Sequence, residues 1–145
     1  MAVVEGVMGL FDGVAHSGQT ARGATADLAA LFGWPVVLVL DVSGQTETAA
    51  AVAAGCARYR EDVGVAGVIL NRVSSARHLA LIAPAFDRIG LKLFGAIGND
   101  DALTLPERHL GLVQAGETAD LERRLETFAD ALESSVDLEA IRAAA

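Results

Sequence analysis

Lysine is nearly absent from this chain: Lys92 is the only one in 145 residues. No G-x-x-x-x-G-K-[ST] string occurs, and the glycine-bearing GQTARGATAD stretch holds no lysine at all, so nothing here cradles a triphosphate in the usual way. No cluster of Lys and Arg offsets the formal net charge of −8, which argues against nucleic-acid and anionic-membrane surfaces. Cysteine is limited to Cys56, which excludes an internal disulfide, and Cys and His nowhere fall at metal-ligand spacing. The scarcity of cysteine fits a reducing cytoplasm. No uninterrupted apolar run reaches the roughly 18 residues of a membrane span, and the start MAVVEGVMGLFDG lacks the basic flank of a signal peptide.

What is present is apolar side chain, 52% of the residues, enough for the core of one domain. Four short runs rich in β-branched residues, Ala2–Val4, Val36–Leu40, Val65–Leu70 and Leu91–Ile97, alternate with alanine- and leucine-rich stretches. That alternation predicts an α/β fold with a mostly parallel sheet and flanking helices. The run VVLVL shows no polar alternation, as a strand buried on both faces requires. Helices are expected over Thr25–Phe32, stopped by Gly33, over Thr46–Tyr59, over Ser75–Ile89 and over Thr118–Leu132. Pro84 should kink or split the third. Two stretches, Gly6–Ala24 and Gly98–Gly116, fit no element, and the alanine-rich end after Val136 looks like low-complexity sequence. Loops of such length in a compact domain usually carry function.

Strand ends direct attention to particular residues, because ligands of open α/β sheets bind outside the C-terminal edge. Glu5 closes the first predicted strand and leads into GVMGLFDG. A hard cation such as Mg²⁺ takes one or two carboxylates beside phosphate oxygens, so Glu5 suits a metal and Asp12 could join it; either could equally cap a loop. Asp41 ends the second strand, where Ser43 or Thr46 can cap the helix that follows. Asn71, in VILNR, can read a purine edge or merely form a turn. His109 has the character of a loop residue, and His16 and His78 carry still less signal. Cys56, on a predicted helix and not at a strand-to-helix elbow, is expected to be a small buried hydrophobe.

Taken in order and spacing, VVEGVMGLFDG, GATADLAALFGWPVVLVLDVSG, VAGVILNRV and LTLPERHLGLVQAGE resemble the cobyrinic acid a,c-diamide synthases. These glutamine-hydrolysing amidoligases of cobalamin biosynthesis share an ATP-binding fold with dethiobiotin synthetase and the partition ATPases. The resemblance covers residues 1–116, with 117–145 as a C-terminal helical segment of one partial domain. It implies a truncated P-loop NTPase-like synthetase domain using ATP and Mg²⁺, a corrin substrate activated as an acyl phosphate, and ammonia from a glutaminase domain.

Carried over by position, the resemblance makes Glu5 the metal-binding glutamate, Asp12 the aspartate near the reacting phosphate and substrate carboxylate, and Asn71 the residue that recognises the nucleotide base. Gln45 departs from the family, standing where its D-x-S-G-M string has methionine, and Gly98 and Asn99 replace its proline–arginine pair. The phosphate-loop strand, the metal-binding aspartate region after it and the glutaminase domain have no counterpart, so the sequence is expected to be an internal fragment. By itself it should be inactive, bind no cofactor tightly and form a homo-oligomer through the strand AVVE, left without a neighbour. Hydrogenobyrinate and nickel sirohydrochlorin are alternative substrates, and a non-catalytic interaction module related to partition-type ATPases is an alternative function.

Overall fold

The computed structural model describes residues 2–19, 21–104, 107–108, 111–112 and 121–145. His109, Pro106 and half of the LPERHLGL string lie outside the described residues, as do residues 118–120 at the start of the last predicted helix. Among the described residues the elements follow the order α1 (Thr25–Phe32), β1 (Val36–Asp41), α2 (Glu47–Tyr59), β2 (Val65–Val73), α3 (Ala76–Ile89) and β3 (Leu93–Gly98). After a 3₁₀ turn at Asp101–Leu103 come a two-residue hairpin, β4 (Glu107–Arg108) with β5 (Gly111–Leu112), and the helices α4 (Leu121–Ser135) and α5 (Leu138–Ala144).

The principal sheet is parallel and runs β1-β2-β3. Residues at alternate positions point to opposite faces, and this sorts the core into two layers. Val36, Leu38 and Leu40 of β1 join Val68 and Leu70 of β2 against the alanine face of α2 (Ala49, Ala50, Ala53) and the Ile82, Ala85 and Phe86 face of α3. On the other face Ile69 and Phe94 pack with Val136 and with Ile141 of α5. Alanine on α2 lets the helix approach β1 and β2 closely, while Phe86 of α3, fully buried, supplies bulk.

Four expectations need correction. Residues 2–5 form no strand: they are exposed, with Val3 83% accessible, and pair with no strand among the described residues, so Glu5 is not at a strand tip. A strand forms only where its hydrogen bonds are paired, and these residues have no such pairing among the described residues. β1 is not covered on both faces, because α4 and α5 cover β2 and β3 but leave Val39 61% exposed. Pro84 does not split α3, which runs through it from Ala76 to Ile89. It lies on the solvent side, where water can satisfy the Ala80 carbonyl that loses its partner, while Ile82, Ala85 and Phe86 anchor the turns around it. The alanine-rich end is helix α5, docked on the sheet. Its approach depends on Gly95, where a Cβ would meet the Val136 backbone at 2.7 Å.

Helix termini follow the sequence. Gly33 and Gly90 end α1 and α3 in the left-handed conformation, at φ +64° and +70°. Ser75 caps α3 by accepting a hydrogen bond from the His78 amide at 3.1 Å. At the start of α1 the third helical residue, Asp27, reaches back to accept from the Ala24 and Arg22 amides, both at 3.0 Å. The same carboxylate takes a 2.6 Å ion pair from Arg60, whose guanidinium also grips Asp62 in a two-pronged contact. This cluster fixes α1 to the end of α2.

Arg60 first, then the Ala24 amide, holds the Asp27 carboxyl below its ordinary value, and Arg60 does the same for Asp62. Carboxyls depressed in the folded state contribute stability above their unfolded pKa of about 4 and lose it as pH falls through the folded values. The urea midpoint should therefore drop steeply below about pH 4, and Asp27→Asn should shrink that drop while lowering the midpoint at neutral pH. Equal acid sensitivity in the variant would show that the cluster does not set it.

Candidate functional site at the C-terminal edge of the sheet

The crossover helices α2 and α3 pack against each other and on the same face, so β1, β2 and β3 deliver their C-terminal tips side by side. Asp41 ends β1, and its register partner on β2 is Asn71, about 4.8 Å away across a paired sheet. The Val42 amide donates to the Asn71 carbonyl at 3.0 Å, extending the pairing one residue past β1. β2 runs on through Asn71 and Arg72 to Val73, with a register break against β3 between Leu70 and Val73. Within that break Arg72 adopts φ +60°, a left-handed conformation that costs a non-glycine residue about 1 kcal/mol or more. This turn brings the guanidinium to 3.4 Å from the Asp41 carboxylate, an exposed pair that contributes little energy but keeps the two tips together.

Asn71 accepts the Arg72 amide through Oδ1 at 2.9 Å. Among the described residues its side-chain nitrogen has no acceptor, which leaves a donor available at the edge. Asp41 accepts the Ser43 amide at 2.9 Å, and Gln45 donates its side-chain amide to the Asp41 carbonyl at 3.2 Å. The Ser43 hydroxyl first, the Ser43 amide next and Arg72 last hold the Asp41 carboxyl below its ordinary value. On β3 the edge continues into Asn99, whose amide donates to the Val73 carbonyl at 3.0 Å, and Asp100, which caps the 3₁₀ turn.

Asp12 is not at this edge. Phe11 rests on Tyr59 with ring centroids 4.7 Å apart, and Tyr59 is the last residue of α2. Because α2 starts beside the strand tips and returns over roughly 20 Å, Asp12 sits toward the N-terminal edge. Glu5 is exposed, and its neighbour Gly6 lies against the Thr25 side chain that opens α1. The structure thus brings Asn71 together with Asp41 and leaves Glu5 and Asp12 apart from them.

A magnesium ion needs several oxygens converging on one point, and these separated carboxylates do not supply it. No group of three or more His, Cys, Asp or Glu among the described residues is placed to hold a metal. Cys56 packs partly buried against the main core, and burial pushes its thiol pKa up, as a small hydrophobe and not a nucleophile. An open groove of about 280 Å³ lined by Trp34, Pro35 and Gly64 lies at the opposite, N-terminal edge and holds no reactive group beyond Asp62, which Arg60 occupies. No helix among the described residues is long and apolar enough to cross a membrane.

Sequence reasoning passed over one residue that the structure places here: His78, the only buried polar or charged side chain of the described core, which contacts the loop after β1. The signal available was a histidine three residues into a helix behind the Ser74–Ser75 pair, on the same face as Ile82, Ala85 and Phe86.

Comparison with known proteins agrees with this architecture. Residues 1–107 match the family described as AAA domain. The hydrogenobyrinate a,c-diamide synthase of Rhodobacter capsulatus is 55% identical over 141 residues, 97% of this chain and 32% of that protein. The protein of the same name from Mesorhizobium japonicum is 57% identical over 140 residues, 96% of this chain and 31% of its own. That from Agrobacterium fabrum is 48% identical over 141 residues, 97% and 32% respectively. The chain spans about a third of the length of the curated relatives it matches. No solved structure matches it.

If Ser43 is the principal cause of the Asp41 shift, Ser43→Ala should raise the Asp41 carboxyl pKa toward its ordinary value by more than Arg72→Gln does. Carbon-13 titration of the side-chain carboxyl measures both, and a larger response to Arg72→Gln would make the ion pair dominant.

Proposed function

We propose a function from a fixed premise: the chain belongs to the AAA domain family. It is part of an ATP-dependent amidoligase of cobalamin biosynthesis that amidates the a and c carboxylates of hydrogenobyrinate. The observation that carries this reading is the identity of 48–57% over 96–97% of the chain to proteins named hydrogenobyrinate a,c-diamide synthase. Among the tetrapyrroles the sequence left open, those names favour hydrogenobyrinate over cobyrinate and nickel sirohydrochlorin. In the reaction a carboxylate oxygen of the substrate takes the γ-phosphoryl group of ATP and releases ADP. Ammonia, supplied by glutamine hydrolysis, then attacks the acyl carbon and expels phosphate. Asn71 serves the nucleotide base with its free amide donor at the edge, and Asp41 with Arg72 holds the neighbouring tip in place.

Glu5 as a metal ligand and Asp12 beside the reacting carboxylate require the N-terminal segment to move to that edge. The open side of β1 supports this. A strand from outside this sequence that pairs there would cover Val39, and residues 2–5 could then pair along the strand's far side, carrying Glu5 to a strand tip.

The test is a hybrid in which these 145 residues replace the matching segment of the Rhodobacter capsulatus enzyme. Supplied with ATP, magnesium and glutamine, it should convert hydrogenobyrinate to its diamide, while the chain alone turns over nothing. A hybrid that unfolds cooperatively and binds ATP yet forms no diamide would overturn the proposal. Alone, the chain should self-associate through β1, whose VVLVLD sequence has no lysine or proline to protect the edge. Light scattering coupled to size exclusion should give a dimer or larger species, and a stable 15.0 kDa monomer would contradict it.

A further inference from the structure

His78 stands on the first turn of α3 with 9% of its surface exposed, and every polar atom of its ring is engaged. The Ser74 amide donates to Nδ1 at 3.2 Å, with the Ser74 hydroxyl at the same distance. Nδ1 is therefore an acceptor, so the ring proton is on Nε2, and that N–H donates to the Gln45 carbonyl. The ring thus bridges two segments that are 33 residues apart on one side: the loop between β1 and α2, and the turn between β2 and α3.

The loop it reaches is built around a small set of contacts. Gly44 takes φ +68°, the Gln45 amide donates to the Val42 carbonyl at 2.9 Å, and the Ser43 amide donates to the Asp41 carboxylate. No β-ladder or helix holds residues 43–46, so among the described residues, apart from these local turns, the Nε2–H of His78 is the hydrogen bond that ties the loop to the β2–α3 turn. Its partner is a backbone carbonyl, so the bond survives whatever side chain stands at position 45, including the glutamine that departs from the family string.

We propose that His78 is a positioning residue: its ring ties the loop after β1 to the turn after β2 and so fixes the backbone around Gln45 beside the Asp41–Asn71 pair that strand register sets. Its value to catalysis rests on the ligase reading above; the clamp itself does not. A merely space-filling histidine would tolerate any residue of similar volume. A clamp distinguishes the two halves of the ring. His78→Gln can keep a donor near the Nε2 position, whereas His78→Asn keeps an acceptor near Nδ1 and loses the reach to Gln45.

Two measurements on this chain decide the matter. In the unaltered protein, nitrogen-15 spectra of the imidazole should show a slowly exchanging proton on Nε2 and a bare Nδ1. A ring protonated on Nδ1 would overturn the clamp whether or not any variant folds. In hydrogen exchange, His78→Asn should speed the Ser43 and Gln45 amides by on the order of tenfold, as expected from losing one buried hydrogen bond, with the Val68 and Leu70 amides of β2 unchanged. His78→Gln should restore most of the protection. Unchanged loop exchange in His78→Asn, or acceleration shared equally by β2, would reduce His78 to packing. Neither measurement uses nucleotide, corrin or any other segment of the enzyme, so failure would count against His78 and leave the ligase reading standing.

Discussion

Each strand of a parallel sheet presents backbone donors and acceptors on both sides, and among the described residues β1 has a partner on one side. Most features of this chain that seem unrelated follow from that. Val39 is exposed because the layer formed by α4 and α5 reaches no farther than β2 and Val37. Residues 2–5, rich in valine, stay outside the sheet and leave that side of β1 open. The two crossovers pack α2 and α3 on one face without reversal, so the described strands contain no point where strand order switches.

The well-formed part of the fold was legible because local and long-range demands agree there. VVLVL and GVILN are strands by composition, and their tips were correctly placed because both pair with neighbours within the chain. Gly33, Gly90 and Ser75 mark helix ends by conformational and hydrogen-bonding needs that one residue settles. AVVE has the same composition and fails to become a strand. Composition predicts the preference, but the hydrogen bonds must come from elsewhere, and a propensity worth at most about 1 kcal/mol per residue cannot replace them.

The end after Val136 was read as low-complexity sequence for a related reason. LEAIRAA has strong helix formers but is too short to be stable in isolation, and its apolar face rests largely on alanine, which signals burial weakly. What stabilises it is a site on the sheet prepared by Gly95, where the missing side chain admits Val136 and lets Ile141 reach Phe94 and Ile69. The information lay in a glycine some forty residues away, and no window along the sequence joins the two.

The candidate site divides along the same line. Asn71 and Asp41 are close because strand register makes them so, and register follows from two runs that the sequence displays openly. Glu5 and Asp12 were assigned to the same edge on the assumption that their segment begins with a paired strand. Without that strand, the contacts that decide their position are those of Leu10 with α1 and Phe11 with Tyr59, which draw the loop to the far end of α2. A carboxylate's chemistry is fixed by its residue type, but its address is fixed by the backbone that carries it. In this chain the Asn71–Asp41 part of the edge has its backbone support internally, from the β1–β2 pairing, whereas among the described residues no pairing partner brings Glu5 and Asp12 to it.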